Sequence, residues 1–247
     1  MSLLSHLFEL RKRLFRGALA ILLGTVLGWF IADWFWDVLR VPITTIAEVR
    51  NATINYGGIT SAFDLRLQVA IALGILVASP VWLYQVFAFI VPGLSGRERR
   101  YTVGFLVTAV PLFLAGCAAG WAVLPHIVEL MTSFVPPEDA SFVEAKSYLD
   151  FVLKLVLATG VAFVLPVFLV LLNFMRLLSA RSIIAGWRWA VMSIAVFTAI
   201  ATPAADVMSM FVLAVPMILL YVAAYGVAAL HDHLLAKREA LPVIRAQ

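Results

Sequence analysis

Apolar positions in this chain neither alternate nor come in short runs. They fill long stretches separated by clusters of charge. Six stretches carry no Asp, Glu, Lys or Arg: 17–32, 67–96, 101–128, 155–175, 189–205 and 207–231, of 16, 30, 28, 21, 17 and 25 residues. A bilayer core about 30 Å thick takes roughly 20 helical residues, with about 17 as the lower bound. Four stretches exceed that. The first reaches it by taking in Leu14, Phe15 and the Trp34-Phe35-Trp36 cluster. The fifth is marginal, so its span is short or the bilayer is thin around it. A barrel is excluded because alternation is missing, and an open sheet leaves its backbone unsatisfied in lipid. The pattern predicts an all-α integral membrane protein with six transmembrane helices, at approximately 14–36, 67–92, 101–125, 149–173, 187–202 and 207–230. They form one domain over 1–247, with 231–247 as a tail.

Composition agrees and removes alternatives. The 247 residues are 64% hydrophobic and 13% charged, and mean hydropathy is +1.02; a soluble domain is nearer half apolar and a quarter charged. The net charge of +4 is too small and too segregated for nucleic-acid binding. The single Cys117 excludes a disulfide framework or a multi-cysteine metal site. Six spans place both termini on one side with the loops after spans two and four. That side holds 13 of the 18 basic residues against 4 acids, whereas the other holds 5 basic and 10 acidic residues. The positive-inside rule therefore puts both termini in the cytoplasm. The basic cluster before span one and the absence of a small-residue cleavage site after it predict a retained signal anchor.

The loops are too short for a soluble catalytic domain. Residues 37–63 form the first outward loop, with Pro42, Gly57-Gly58 and a chance-level sequon at Asn51; residues 125–150 form an acidic second one. Thr202-Pro203-Ala204-Ala205-Asp206 is a tight turn that makes spans five and six a short helical hairpin. Prolines recur in the spans, at 80, 92, 111, 125, 166 and 216. Each removes a hydrogen bond and tends to kink its helix, which suits a bent shell, although proline is also simply commoner in membrane helices.

Few residues carry candidate chemistry. Leu3, Leu7, Leu10 and Leu14 recur at helical spacing and predict an amphipathic interfacial helix whose polar face sets Glu9 among Arg11, Lys12 and Arg13. The structural reading is a Glu9–Arg13 pair four residues apart, with the cations drawn to anionic lipid. Ser95 and Glu98 have capping-box spacing before span three. Glu9 and Glu98 are also the only cytoplasmic acids away from the C-terminal tail, and each suits a bidentate guanidinium partner. Asp206 in the first turn of span six favours the helix dipole. Asp150 and Lys154 have ion-pair spacing. His231 and His233 point to different helix faces, and His126 with Glu129 lacks further ligands, so no metal site is expected. No nucleophile–base pair lies in the spans, so neither an enzyme nor a cofactor is expected.

The stretch His6-Leu7-Phe8-Glu9-Leu10-Arg11-Lys12-Arg13-Leu14 resembles the N-terminal HLxELRxRL signature of the TatC family, the polytopic receptor subunit of the twin-arginine protein translocase. The likeness continues in order through Ser79–Leu94 with Glu98-Arg99-Arg100, Tyr148–Phe151, Gly160–Val167 and Thr202–Asp206, covering about residues 4–230. It implies a non-enzymatic receptor in the bacterial or archaeal cytoplasmic membrane. Such a receptor binds twin-arginine signal peptides of folded cargo. It assembles as an oligomer with TatA-type and TatB-type single-span subunits, driven by the protonmotive force. Carried over residue by residue, the likeness assigns Glu9 and Glu98 to the paired arginines, with Arg11, Phe89 and Arg99 supporting that surface. It gives Pro42 and Asp206 roles on the outer side, and it makes the final hairpin the partner-docking region. Departures are Val164 where many members carry a polar residue, Gln68 where Lys is common, and Met210 where some have Gln. The alternative class is a small-solute or ion permease, which would place ionisable residues near the midplane; the charge-free runs hold none.

Overall fold

The computed structural model describes the backbone of residues 3–50, 53–58, 60–90, 96–133, 142–201 and 207–245. It describes the side chains of 7–41, 55–58, 60–89, 104–130, 144–201, 207 and 210–237. Its helices are α1 (Leu3–Arg50), α2 (Ser61–Val77), α3 (Ser79–Ile90), α4 (Gly96–Ser133), α5 (Ala145–Phe174), α6 (Ala180–Ala185), α7 (Trp187–Ala201) and α8 (Val207–Arg245). Among the described residues four helical segments are long and apolar enough to cross a membrane: Leu7–Val41, Gly104–Leu130, Ala145–Phe174 and Met210–Lys237. A fifth candidate is the pair α2–α3, bent by 60°; α7 is apolar but shorter. The molecule is an α-helical membrane protein.

Several elements differ from the sequence expectation. Helix α1 continues through Arg50, past residues expected to form a loop. Asp37 and Arg40 pair one turn apart at 2.8 Å, and Leu39 is buried against α5. Proline at 42 removes the amide that would serve Val38, and next to it the Tyr148 hydroxyl donates to the Leu39 carbonyl at 2.8 Å. Helix α8 likewise runs on through the expected tail. A two-stranded sheet among the described residues was not expected. Strands β1 (Thr53–Asn55) and β2 (Phe142–Glu144) pair in parallel, Thr53 opposite Phe142, and join the segments after α1 and before α5. The Thr202–Asp206 turn lies outside the described residues. Asp150 and Lys154 form no ion pair with each other.

Two helix seams are close enough to demand glycine. A Cβ on Gly24 would stand 2.8 Å from the Gly74 carbonyl oxygen, and one on Gly28 would stand 2.6 Å from that of Ala70. The second seam repeats this between α4 and α5, where a Cβ on Gly116 would meet the Thr159 carbonyl oxygen at 2.6 Å. Both helices use a small-xxx-small spacing (24 and 28; 116 and 120), which lets backbones approach in lipid, where no hydrophobic drive joins helices. The core follows these seams. One buried cluster, with Leu39, Val69, Leu124, Leu149 and Val152, joins α1, α2, α4 and α5. A second, around Leu83, Phe87, Phe113 and Leu171, joins α3, α4 and α5.

At the opposite end from Leu39 a polar latch closes α5, α6 and α8. Helix α5 ends in a left-handed residue, Arg176 (φ 59°), with the Arg176 and Leu177 amides donating to the Asn173 and Leu172 carbonyls. This is the Schellman geometry, built here without glycine. Asn173, 1% exposed, donates to the Leu178 carbonyl and to Asp232 Oδ1, both at 2.9 Å. Asp232 Oδ2 accepts the Ala180 amide at 2.8 Å, satisfying a free N–H at the start of α6. His231 Nδ1 lies 3.0 Å from Asn173 Oδ1; because that oxygen only accepts, Nδ1 carries the proton.

Two outcomes test these features. Gly28→Val should destabilise the protein by about 3 kcal/mol through overpacking, read as a lowered unfolding temperature in detergent. Gly17→Ala, whose Cβ would stand an ordinary 3.7 Å from Trp82 Cβ, should change it little. Asp232→Ala, by leaving the Asn173 and Ala180 donors unpaired, should cost about 2 kcal/mol and speed amide exchange at Ala180.

Candidate functional site

The break between α2 and α3 creates the site. Ala78 ends α2, and Pro80 stands in the first turn of α3, where it has no amide to extend the ladder. In an unbroken helix the Ser79 amide would serve the Ile75 carbonyl. Here the Trp82 indole donates to that carbonyl at 2.9 Å. The same indole packs edge-to-face on Phe113, centroids 5.3 Å apart, which anchors the bend against α4.

Bent in this way, α3 faces the N-terminal half of α1 across a cavity of about 310 Å³. Helix α1 lines it with Leu10, Arg13, Leu14, Gly17, Ala18 and Ile21, and α3 with Trp82, Gln85, Val86 and Phe89. The two helices run in opposite directions here. Arg13 and Phe89 therefore stand toward the mouth, Gln85 one turn deeper along α3, Gly17 level with Trp82 below it, and Ile21 deepest. The walls are apolar apart from Arg13 and Gln85. Leu10 and Leu14 of the amphipathic stripe thus face α3 and do more than rest on lipid.

Glu9 sits at the mouth through its partner. Arg13 Nε and Nη2 both reach Glu9 Oε1, at 2.9 and 2.5 Å; the Arg13 and Glu9 side chains are 23% and 26% exposed respectively. Among the described residues Oε2 of Glu9 accepts nothing. The structure therefore holds a guanidinium on this carboxylate already, which realises the intrahelical pairing expected from the sequence. Arg11, Lys12 and Arg16 are exposed around it. Phe89 is half-buried in the wall. Glu98 and Arg99 lie by their backbone in the first turn of α4, where a carboxylate favours the helix dipole; their side chains are outside the described residues. The same holds for the Pro42 side chain, and Asp206 is outside entirely. Glu9, Arg11 and Phe89 are thus brought to one end of the α1–α3 cleft.

Arg13, Trp82, Gly17 and Gln85 were not singled out as site residues from the sequence. Gln85 carried a signal, being an amide inside a charge-free run, and polar groups in spans are functional candidates by default. A second cavity, of about 270 Å³, lies among α5, α7 and α8 and is apolar except for Ser193 and Tyr221. The Tyr221 hydroxyl donates to the Ile183 carbonyl. Among the described residues no three of His, Cys, Asp and Glu gather as a metal site, and Cys117 is a buried free thiol.

A pair so near the helix surface stabilises weakly, by about 0.5 kcal/mol. A double-mutant cycle of Glu9→Gln and Arg13→Gln on unfolding in detergent should give a coupling below about 1 kcal/mol. Effects of Glu9→Gln on binding are then separable from folding.

A model of the family described as Sec-independent protein translocase protein (TatC) matches residues 5–216. The Sec-independent protein translocase protein TatC of Xylanimonas cellulosilytica is 44% identical over 242 residues, covering 97% of this chain and 88% of its own. That of Rothia mucilaginosa is 36% identical, covering 94% and 80%. Two crystal structures of the twin-arginine translocase receptor TatC superpose with TM-scores of 0.72 and 0.76 at 27% and 28% identity. They cover 91% and 90% of this chain and 98% and 99% of theirs. The chain belongs to the TatC family.

Proposed function

We propose that this protein is the signal-peptide receptor of a twin-arginine translocase, with the α1–α3 cleft as its recognition site. Family membership makes it a component of the Sec-independent protein translocase and not an enzyme, and the permease reading gives way to it. The observation that carries the receptor reading is the half-buried Glu9 carboxylate. It holds a guanidinium at the mouth of an apolar cavity walled by Phe89. A guest arginine joins Glu9 through the open Oε2 or exchanges with Arg13 on Oε1, and carboxylate–guanidinium bonds have the planar match that lysine lacks. Glu98 receives the second arginine. Arg11 and Arg99 support the surface, and the signal's apolar segment enters the cavity.

In this reading the chain makes six spans of one domain, with α2–α3 as one broken span and α7 as the short fifth. Both termini lie in the cytoplasm of a bacterium or archaeon and the spans in its cytoplasmic membrane, consistent with the basic residues gathered at that end. Pro42 and Asp206 act at the outer side. TatA-type and TatB-type single-span subunits dock on the final hairpin, whose lipid-facing side chains Ile200, Phe211 and Leu219 are 81%, 60% and 63% exposed. The assembly is oligomeric, and the protonmotive force drives transport.

The test is binding of a labelled paired-arginine signal peptide to detergent-solubilised protein, with a paired-lysine peptide as control. The arginine peptide should bind and the lysine peptide should be at least about tenfold weaker. Glu9→Gln and Glu98→Gln should each weaken binding by about 10- to 100-fold, the worth of a charge-assisted pair. Unchanged binding in both variants would overturn the reading.

A further inference from the structure

Gln85 is the one residue of the α1–α3 cavity wall whose polar atom is left over. Its amide oxygen is closed off from water and meets no hydrogen-bond donor, and it lies in a stretch without charge from 67 to 96. Buried carbonyls are nearly always paired, and in a membrane water cannot repair an omission. The other two polar side chains lining the cavity are engaged: Arg13 with Glu9, and the Trp82 indole with Ile75. Among the described residues that line the cavity, one acceptor is thus left unpaired, buried in the wall behind the cavity surface.

An apolar peptide segment brings the missing donor. Its side chains carry none, but its backbone does, and the first four amides of a helical segment have no partner within the helix. Gln85 stands four residues from Phe89 on α3, about 6 Å deeper along the helix. An arginine held on Glu9 at the mouth therefore brings the beginning of the adjoining apolar segment level with Gln85. Rotation about the terminal amide torsion, which is soft, turns the oxygen to the entering N–H. We propose that Gln85 is a binding residue of the signal-peptide site that accepts a backbone amide at the start of the signal's apolar segment. It reads main chain where Glu9 reads side chain. The site then accepts apolar segments of varied sequence while still measuring their distance from the arginines. This assignment rests on the receptor reading above.

The experiment uses the full chain in detergent and two labelled peptides, one with paired arginines plus an apolar segment and one with the arginines alone. Gln85→Met keeps the side chain's length and removes the amide. It should weaken the long peptide by about 3- to 10-fold, the worth of one neutral hydrogen bond, and affect the short peptide far less. N-methylation of a single backbone nitrogen at the start of the apolar segment should weaken binding to the unsubstituted protein by the same factor at one position, with no further loss in Gln85→Met. The unfolding temperature of Gln85→Met should be unchanged or raised, because an unpaired buried oxygen is removed. Equal loss for both peptides, no loss for the long one, or a lowered unfolding temperature would overturn the assignment. Glu9→Gln separates the two levels. If it and Glu98→Gln both leave the two peptides bound, the receptor reading fails; if Glu9→Gln weakens both while Gln85→Met changes nothing, only the role of Gln85 fails.

Discussion

Without water in the hydrocarbon core, every place where a helix breaks must have its freed backbone groups answered by a side chain. The described part of this protein meets that constraint repeatedly with long polar residues from elsewhere. The Trp82 indole takes the Ile75 carbonyl at the α2–α3 bend. Within α1, the Tyr148 hydroxyl adds a bond to the Leu39 carbonyl, next to the Val38 carbonyl that proline 42 leaves without its amide. Asn173 and Asp232 close the gap between α5 and α6, and Tyr221 covers the end of α6. Each answer also ties two elements together, so the breaks that shape the molecule are the points where it is most firmly joined.

The bends and the glycine seams divide the labour. Where Gly24, Gly28 and Gly74 let α1 and α2 touch backbone to backbone, there is no room for a guest. Beyond Ala78 the chain turns by 60°, and α3 separates from α1 enough to leave a cavity. The same pair of helices is thus rigid at one end and open at the other, with Arg66, paired to Asp33 at 3.1 Å and stacked over Trp29, fastening the closed end. A cleft set on such a clamp holds Glu9, Phe89 and Gln85 at a stable depth relative to one another.

Much of the fold was legible because lipid makes helix formation a local matter: a long charge-free run has nothing else to become. The Glu9–Arg13 pair was legible for the same reason, since four-residue spacing places both on one helical face. What the pattern misjudged were the ends. Residues 37–50 and 231–245 read as loop and tail because they carry charge. They stay helical because Leu39 and Asp232 find buried partners on α5 and α6, which hydropathy does not report. The parallel β1–β2 ladder was equally hidden, since three-residue strands more than eighty positions apart leave no periodicity.

The sequence by itself determined the solvent, the helical class, the charge asymmetry and the short list of acids able to receive a guanidinium. All of these follow from composition and from spacing within a turn or two. Only the tertiary structure decided that Arg13 and Phe89, some seventy-five residues apart, share one cavity, and that the Gln85 amide oxygen is buried in its wall without a donor. Those meetings depend on how closely α1 can approach α2 and where α3 bends away. The approach is set by steric contact between glycines on different helices, and the bend by a tryptophan hydrogen bond across a break, neither of which is a property of any single segment.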